Sequence, residues 1–271
     1  MHKVSNFACK WSDCMAYNVK YFHVEETDST NLEVLRRFSA LDEEERQRYE
    51  CFVASADFQT AGRGQRGSRW ESERGKNLVF SLLLPPKGVG AARQFCLSQA
   101  MSVAVCCALN RYRNGFVVKW PNDIYYGERK ISGTIIETTL RGALVDQCVL
   151  GVGINVNQRK FCGDAPNPVS LCEITGSDVE PEELLHDVTG GFCKMLHLIY
   201  NKQEDEVAAR YLDMLIWKEG MHRYRDARGE FLAQLEGIEP NGRLVLRDEN
   251  GAERRYMFKE VKHVFDSIEC V

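Results

Sequence analysis

The sequence lacks an excess of charge of either sign. Its 35 lysines and arginines nearly balance 39 aspartates and glutamates, which leaves a formal net charge of -4. A chain this balanced has no overall field that would attract nucleic acid or an anionic membrane. The sequence also lacks an apolar run that approaches the ~20 residues of a membrane span, and its first twenty residues hold no apolar core of a signal peptide. We therefore expect a cytoplasmic protein that binds neither DNA nor membranes, although a local basic loop can bind a small anion.

Closely paired cysteines are absent as well. The chain has 11 cysteines, an odd number that cannot form a complete set of internal disulfides, and no two of them are spaced as Cys-x-x-Cys. Zinc sites usually need such tightly paired ligands. We interpret the cysteines as reduced, mostly buried thiols, and we predict no metal ion held by protein side chains alone.

The spacing of apolar residues predicts an α+β domain over residues 1–218. At ~150 residues per domain, 271 residues suggest one large domain with a small partner. Apolar patterning predicts a mixed or antiparallel sheet with helices packed on one side, and the charged run at 42–50 is expected to be an exposed turn. Strands are predicted at 21–24, 51–56, 78–84, 116–119, 124–126, 131–138 and 144–152, and helices at 31–41, 91–111 and 184–199.

The pattern changes after Gly220 and predicts a second domain over residues 219–271. Short apolar segments at 231–238, 244–246, 256–258 and 261–265 are separated by Asn241-Gly242 and Asn250-Gly251, which are strong signals for tight turns. These features are typical of a small β-barrel.

A glycine-rich basic loop is the first candidate for chemistry. Residues 62–67 read Gly-Arg-Gly-Gln-Arg-Gly, which matches the spacing G-x-G-x-x-G. A dinucleotide fold would need a helix directly after this loop, but a strand follows, and no Gly-Lys-Ser/Thr is present to form a P-loop. The glycines let a ligand approach the backbone, and Arg63, Arg66 and Arg69 can surround an anion. A mobile basic surface loop is the alternative.

Two further segments carry polar residues at the ends of predicted strands. Residues 119–123 read Lys-Trp-Pro-Asn-Asp, and Lys130 and Gly133 follow on the next strand. Residues 151–155 read Gly-Val-Gly-Ile-Asn at the end of another strand. The alternatives are an ordinary hairpin with a solvated lysine and a β-bulge, respectively.

Taken together, four separated segments resemble the biotin protein ligases, also called biotin–[acetyl-CoA-carboxylase] ligases. The similar segments are 26–31 (Glu-Thr-Asp-Ser-Thr-Asn), 59–70, 119–133 and 151–155, in the order found in that family. The resemblance implies a catalytic domain like that of class II synthetases, followed by an SH3-like barrel. It also implies a two-step reaction in which biotin and ATP give biotinyl-5′-adenylate, which then acylates one lysine of a biotin carboxyl carrier domain.

The resemblance also implies roles for individual residues. Cations are needed because the biotin carboxylate must approach an anionic triphosphate, and two like charges 4 Å apart cost ~4 kcal/mol at a surface-like dielectric. Mg²⁺ is expected through the nucleotide phosphates. Catalytic roles are implied for Arg63, Lys119, Asp123 and Lys130; biotin binding for Ser29, Thr30, Asn31, Gln59, Arg63, Gly64, Gln65, Lys130 and Gly133; and ATP binding for Gly62, Arg66, Gly67, Trp70, Asn122, Ile154 and Asn155.

The chain departs from the family pattern at three places. Gln65 and Ser68 stand where many members have arginine. Members often have Gly-Glu-Val followed by an arginine near ATP, but here Lys259-Glu260-Val261 leads to Lys262-His263, so that arginine has no clear match. About twenty residues precede the first predicted strand, too few for the winged helix-turn-helix that some members carry. We therefore expect a ligase without repressor function. The family includes monomers and dimers, so a homodimer is also possible.

Two other functions are consistent with parts of the pattern. Lipoate and octanoate protein ligases share the catalytic fold but typically show a Gly-Gly-Gly run followed by a His-Asp pair, and this chain has neither. A non-catalytic module that only docks carrier domains or nucleotides would make the cations at 63 and 130 incidental. The ligase hypothesis instead requires Arg63 and Lys130 to share one hollow.

Overall fold

The larger of two sheets has seven strands. The computed structural model describes residues 18–64, 69–85, 87–163 and 167–265. The strands of the larger sheet are β1 (Val19–Thr27), β2 (Cys51–Gln59), β3 (Leu78–Leu84), β4 (Phe116–Lys119), β5 (Asp123–Tyr126), β6 (Arg129–Arg141) and β7 (Leu144–Ile154).

The strand order of this sheet is β1-β2-β3-β7-β6-β5-β4. β1 and β2 are parallel, and every other pair is antiparallel, so the predicted mixed sheet is confirmed. β3 lies in the interior and all seven of its residues are buried, which explains its unbroken apolar sequence.

Helices cover both faces of the sheet, so the prediction that they pack on one side was wrong. α1 packs on one face, where Val34 joins Phe52, Ala54 and Leu83 in a small core. α3 and α5 pack on the other face with residues such as Phe80. Alternate residues of each strand thus reach opposite cores. The helices are α1 (Thr30–Ala40), α2 (Glu43–Arg48), α3 (Phe95–Asn110), α4 (Leu171–Thr175), α5 (Pro181–Tyr200) and α6 (Glu204–Asp213).

The apolar character of α3 serves the core. The helical segment Ala91–Asn110 is long and apolar enough, by length and composition, to cross a membrane, but 78% of its apolar window is buried inside the protein. A helix that is apolar on all sides is expected where other elements surround it. Among the described cysteines, Cys162 is exposed and the others are buried, as the sequence predicts.

A second, antiparallel sheet follows the last helix, in agreement with the predicted small C-terminal β domain. Its order is β11-β10-β9-β8-β12. The predicted boundary at 218/219 falls between α6 and β8; that these parts form separate domains stays a prediction. The strands are β8 (His222–Asp226), β9 (Gly229–Ile238), β10 (Leu244–Asp248), β11 (Glu253–Tyr256) and β12 (Lys262–His263).

Three local predictions were wrong. The charged run at 42–50 contains α2, because Asp42 caps it by accepting a hydrogen bond from the Glu45 amide at 2.8 Å and acidic residues fill its first turn. β8 was missed, since its alternating charged residues resemble a loop. The strand expected at 256–258 lies at β11 and ends at Tyr256.

Candidate active site

The N-terminus of α1 forms a buried, uncharged polar cluster. Ser29, Thr30 and Asn31 are each 6% exposed or less. The backbone amide and the hydroxyl of Thr30 donate to Gln59 Oε1 at 2.8 and 3.1 Å. The Ser81 hydroxyl lies 2.7 Å from Thr30 Oγ1 and 2.5 Å from Asn31 Oδ1. Short side chains that bond one another in this way are fixed before any ligand arrives.

Asn31 is held between two strands of the sheet. Its amide Nδ2 donates to Glu137 Oε2 on β6 at 2.7 Å. A Cβ atom on Gly151 of β7 would lie only 2.2 Å from Asn31 Oδ1. Gly151 therefore provides the space that Asn31 occupies, which assigns a physical role to the first glycine of the 151–155 segment.

The glycine-rich loop is closed at its base by backbone contacts. The Trp70 amide donates to the Gly62 carbonyl at 3.1 Å, and Arg63 and Arg69 form an isolated antiparallel bridge. Arg63 Nη1 lies 3.8 Å from Glu137 Oε1. Arg63 is thereby turned toward β6, although it precedes β6 by more than sixty residues.

A β-bulge brings Lys130, Asp123 and Gly133 together. The pairing of β5 with β6 shifts by one residue between Ile124 and Tyr125, which re-aims the side chains that follow. Lys130 Nζ pairs with Asp123 Oδ1 at 2.7 Å. A Cβ atom on Gly133 would lie 3.2 Å from Lys130 Nζ and 3.3 Å from Asp123 Oδ1, so glycine leaves room for this ion pair.

Lys119 lies next to this pair but does not line the cavity. It is the cross-strand partner of Asp123 at the start of the β4–β5 hairpin. Burial lowers the pKa of the Lys119 ammonium below its usual value; the Asp123 carboxylate raises that pKa and the Lys130 cation lowers it further. Lys119 therefore contributes positive charge next to Asp123 and Lys130 from a poorly solvated position.

The Trp70 indole lies against Gly153, near the end of β7. A Cβ atom on Gly153 would come within 2.3 Å of Trp70 Cε2, so only glycine admits the indole there. The indole Nε1 is buried and has no hydrogen-bond partner among the described residues. A buried unpaired donor costs free energy, and it is a donor that a bound ligand can satisfy.

These groups surround one cavity of about 870 Å³. Arg63 and Lys130, which the ligase hypothesis requires to meet, both line it. The structure brings to this cavity Ser29, Thr30, Asn31, Gln59, Gly62, Arg63, Gly64, Trp70, Asp123, Lys130, Gly133 and Asn155.

Other predicted residues stand outside the lining. Lys119 lies behind Asp123, Asn122 is buried beside it, and Ile154 is fully buried in the core at the end of β7. Ile154 thus supports Asn155, whose side chain donates to the Val169 carbonyl at 3.1 Å. Gln65, Arg66 and Gly67 lie outside the described residues.

The sequence analysis missed three charged residues at the cavity: Glu71 and Lys259 line it, whereas Glu137 lies outside the lining and contacts the lining residues Arg63 and Asn31. Glu137 sits in a strand with no local motif, and Glu71 accepts hydrogen bonds from the Cys162 and Gly163 amides at 2.9 and 2.6 Å. Lys259 reaches the cavity from the turn between β11 and β12 with a φ of 72°. That left-handed conformation favours glycine, and many members of the resembled family have glycine there. The departure from the family pattern at 259–261 was the sequence feature that could have indicated Lys259.

Comparison with known proteins agrees with this geometry. The model of the biotin/lipoate A/B protein ligase family matches residues 24–155. A biotin–[acetyl-CoA-carboxylase] ligase of Paracoccus denitrificans is 30% identical over 244 residues, which cover 83% of this chain and 93% of that protein. The chain belongs to the biotin/lipoate A/B protein ligase family.

Other members of the family extend the match. The bifunctional ligase/repressor BirA of Escherichia coli is 34% identical over 134 residues, which cover 49% of this chain and 39% of that protein. A biotin protein ligase from Aquifex aeolicus, solved in complex with biotin and ATP, superposes with a TM-score of 0.72 at 27% identity, over 90% of this chain and 99% of that one. The resemblance and the fold class predicted from the sequence are confirmed.

Proposed function

We propose that this chain activates biotin with ATP to biotinyl-5′-adenylate and transfers the biotinyl group to one lysine of a biotin carboxyl carrier domain. The observation that supports this most strongly is that Arg63 and Lys130, from distant parts of the chain, line the same cavity as Asp123. The relatives named above are ligases for biotin, and one was solved with both small substrates.

In the first step, a biotin carboxylate oxygen attacks the α-phosphorus of ATP. The new bond is a carboxyl–phosphate bond, and the bond to the bridging oxygen breaks, so pyrophosphate leaves. Arg63 and Lys130 are placed to cancel the repulsion between the two anions and the charge that moves to the leaving group. Lys119 strengthens this field from behind Asp123.

Mg²⁺ enters this scheme as part of the MgATP substrate. No group of three or more histidine, cysteine, aspartate or glutamate residues that could hold a metal occurs in the described part of the chain. The Asp123 carboxylate in the cavity is paired with Lys130, and the Glu137 carboxylate, outside the lining, contacts Asn31 and Arg63. Mg²⁺ commonly binds through substrate phosphates with few protein ligands, which fits this donor set.

In the second step, the acceptor lysine amine attacks the carbonyl carbon of the adenylate, and AMP leaves. An amine with a reference pKa near 10.4 is mostly protonated at neutral pH, so it must lose a proton to react. Asp123 is the carboxylate that lines the cavity beside Lys130, and we assign it to orienting the amine and accepting its proton.

The test is incubation of a biotin carboxyl carrier domain with the full chain, MgATP and either biotin or lipoate, followed by intact-mass spectrometry. We expect a gain of one biotinyl group on one lysine, and no gain on a carrier whose acceptor lysine is replaced by arginine. A gain with lipoate alone would assign the chain to the lipoate branch of the family. No gain with either acid would favour a docking module without chemistry.

We propose a cytoplasmic enzyme that acts on the carrier of a biotin-dependent carboxylase, does not bind DNA and can form a homodimer. Gel-shift assays with double-stranded DNA and sedimentation with and without biotin and ATP test the last two.

A further inference from the structure

Lys119 ends its strand inside a group of aromatic rings. Its Nζ lies 5.1 Å from the centroid of the Tyr125 ring and 5.9 Å from that of Phe265. These two rings stack on each other with centroids 5.8 Å apart and planes inclined by 21°. A cation over ring faces at this distance is stabilised by the ring quadrupole while it is shielded from water.

Phe265 is fixed from the side of the C-terminal sheet. It follows β12, and the neighbouring Val264 amide donates to the Arg223 carbonyl on β8 at 2.9 Å. The Phe265 ring also contacts Trp217, at 5.1 Å between centroids, and lies parallel to His263 at 6.5 Å. The position of the ring that covers Lys119 therefore depends on how residues 264–265 pack against the catalytic sheet.

The charged and titratable groups around Lys119 come from three elements. Asp123 and Lys130 face it from β5 and β6, and Tyr125 covers it on β5. His263 faces it from β12. His263 is kept neutral because burial, the Lys119 cation and His222 lower its pKa to about 3. Of Lys119 and His263, Lys119 is therefore the residue that carries a positive charge next to the Asp123–Lys130 pair.

We propose that Phe265 is a positioning residue for the ligase reaction, which holds the Lys119 ammonium against Tyr125 and beside the Asp123–Lys130 pair. The segment after β12 thereby becomes part of the machinery that activates biotin. This inference rests on the proposed function, in which Lys119 supports adenylate formation.

The physical reason is that Phe265 controls two opposing influences on Lys119. Its bulk keeps water away, which lowers the pKa of Lys119, and its ring face attracts the cation and fixes its place. Without the ring, the ammonium gains water and rotamer freedom and screens the reacting phosphates less effectively. Transfer from a preformed adenylate depends on Asp123 instead, so it is expected to change little.

The test uses the full chain with Phe265→Ala and Phe265→Tyr. Trace acetylation over a pH series, with the Lys119 peptide quantified by mass spectrometry, reports the pKa of Lys119 directly. We expect the Phe265→Ala variant to shift this midpoint upward, toward the ordinary lysine value of 10.5. Adenylate formation is expected to slow about 2- to 30-fold. Transfer from synthetic biotinyl-5′-adenylate stays near normal, and Phe265→Tyr restores the midpoint and the rate.

Phe231→Ala is the matched control. Phe231 belongs to the same C-terminal sheet and also covers a cation, with Arg254 Cζ 4.2 Å from its ring centroid. It is expected to leave the Lys119 midpoint unchanged. An unchanged midpoint in Phe265→Ala, or equal losses in both half-reactions without a shift, would overturn the proposal. Phe265→Leu is the alternative variant if Phe265→Ala fails to fold, because it keeps the apolar bulk without the ring. In this variant we expect the midpoint of Lys119 acetylation to fall and adenylate formation to slow. If neither changes, the proposal is wrong.

Lys119→Ala separates this inference from the proposed function. Normal adenylate formation in Lys119→Ala would remove Lys119 from the proposed mechanism. The acetylation midpoint in the Phe265 variants would still show whether Phe265 governs the environment of Lys119.

Discussion

The two ends of the cavity are built from opposite kinds of side chain. At the α1 end, Thr30, Asn31 and Gln59 are uncharged, and Thr30 bonds Gln59 directly and is linked to Asn31 through the Ser81 hydroxyl. At the other end, Arg63 and Lys130 are long cations, and each is paired with a carboxylate of the protein itself. The first end is rigid before substrate arrives, whereas the second can exchange a protein carboxylate for a substrate anion.

This difference suggests a division of labour. A preorganised polar cluster loses little entropy when it binds a neutral ring with fixed hydrogen-bonding groups. Cations held by internal carboxylates are not left unpaired in a cavity, where a bare charge would be costly, but they remain available for phosphates. We therefore expect different substitutions to impair the binding of biotin and the activation of its carboxylate.

The largest effect is expected at the charged end. Lys130→Ala leaves the carboxylate and the α-phosphate uncancelled and is predicted to slow adenylate formation by at least about 100-fold. Pyrophosphate release measures this step. Lys218→Ala is the matched control, because Lys218 is also paired with an aspartate, Asp213, at 3.7 Å. Near-normal pyrophosphate release in Lys130→Ala would contradict the assignment.

The partner of Lys130 is expected to affect the other half-reaction. Asp123→Asn is predicted to spare adenylate formation but to slow transfer from preformed biotinyl-5′-adenylate by about 100-fold, because the acceptor amine loses its base. Asp213→Asn serves as the control. Equal losses in the two half-reactions would indicate that Asp123 only shapes the hairpin.

Two glycines on β7 allow the ends of the cavity to be disturbed separately. In Gly151→Ala the new methyl group collides with Asn31, and in Gly153→Ala it collides with Trp70. We predict about a tenfold rise in the KM for biotin in the first variant and in the KM for ATP in the second. Gly237→Ala, on β9 with nothing within 4 Å of the added atom, is the control. Equal rises in both KM values would mean that the strand moves as a whole.

The smallest effect is expected at His263, which lies between the two sheets and is buried without a charge. Burial, Lys119 and His222 lower the pKa of His263 from its ordinary value of 6.5 to about 3. The unfolded chain therefore binds a proton that the folded protein does not, and the free energy of unfolding falls as pH drops from 6.5 toward 3, by up to about 1.4 kcal/mol per pH unit.

Urea unfolding between pH 7 and pH 5 measures this dependence. His263→Gln is predicted to make the loss of stability with falling pH shallower, whereas His186→Gln, at an exposed histidine, leaves it unchanged. The same slope in His263→Gln and in the unsubstituted chain would show that other groups dominate.

Much of the fold could be predicted because local patterns and tertiary environment agree. β3 is continuous apolar sequence and is buried on both faces, and α3 is a core helix. The failures came where polar residues form regular structure: α2 is stabilised by its cap and its helix dipole, and β8 lies in a sheet whose outward positions are charged.

The candidate site was predicted through motifs, and its gaps have a physical cause. The resemblance of four segments to the family implied site residues from 29 to 155, and twelve of them line the cavity. Glu137, Glu71 and Lys259 were missed because only the fold brings them to the site. Glu137 contacts Arg63, Glu71 accepts from the Cys162 amide, and Lys259 lines a cavity whose other residues lie far away in sequence.

The sequence by itself determined the chemistry available to this protein: the cations, the glycines and the polar turn that its family membership explains. Only the tertiary structure decided which of them meet, because a shift in β-sheet register and the packing of one sheet against another set distances that no local pattern encodes. The bulge that turns Lys130 toward Asp123, and the ring of Phe265 over Lys119, exist only once distant segments are brought into contact.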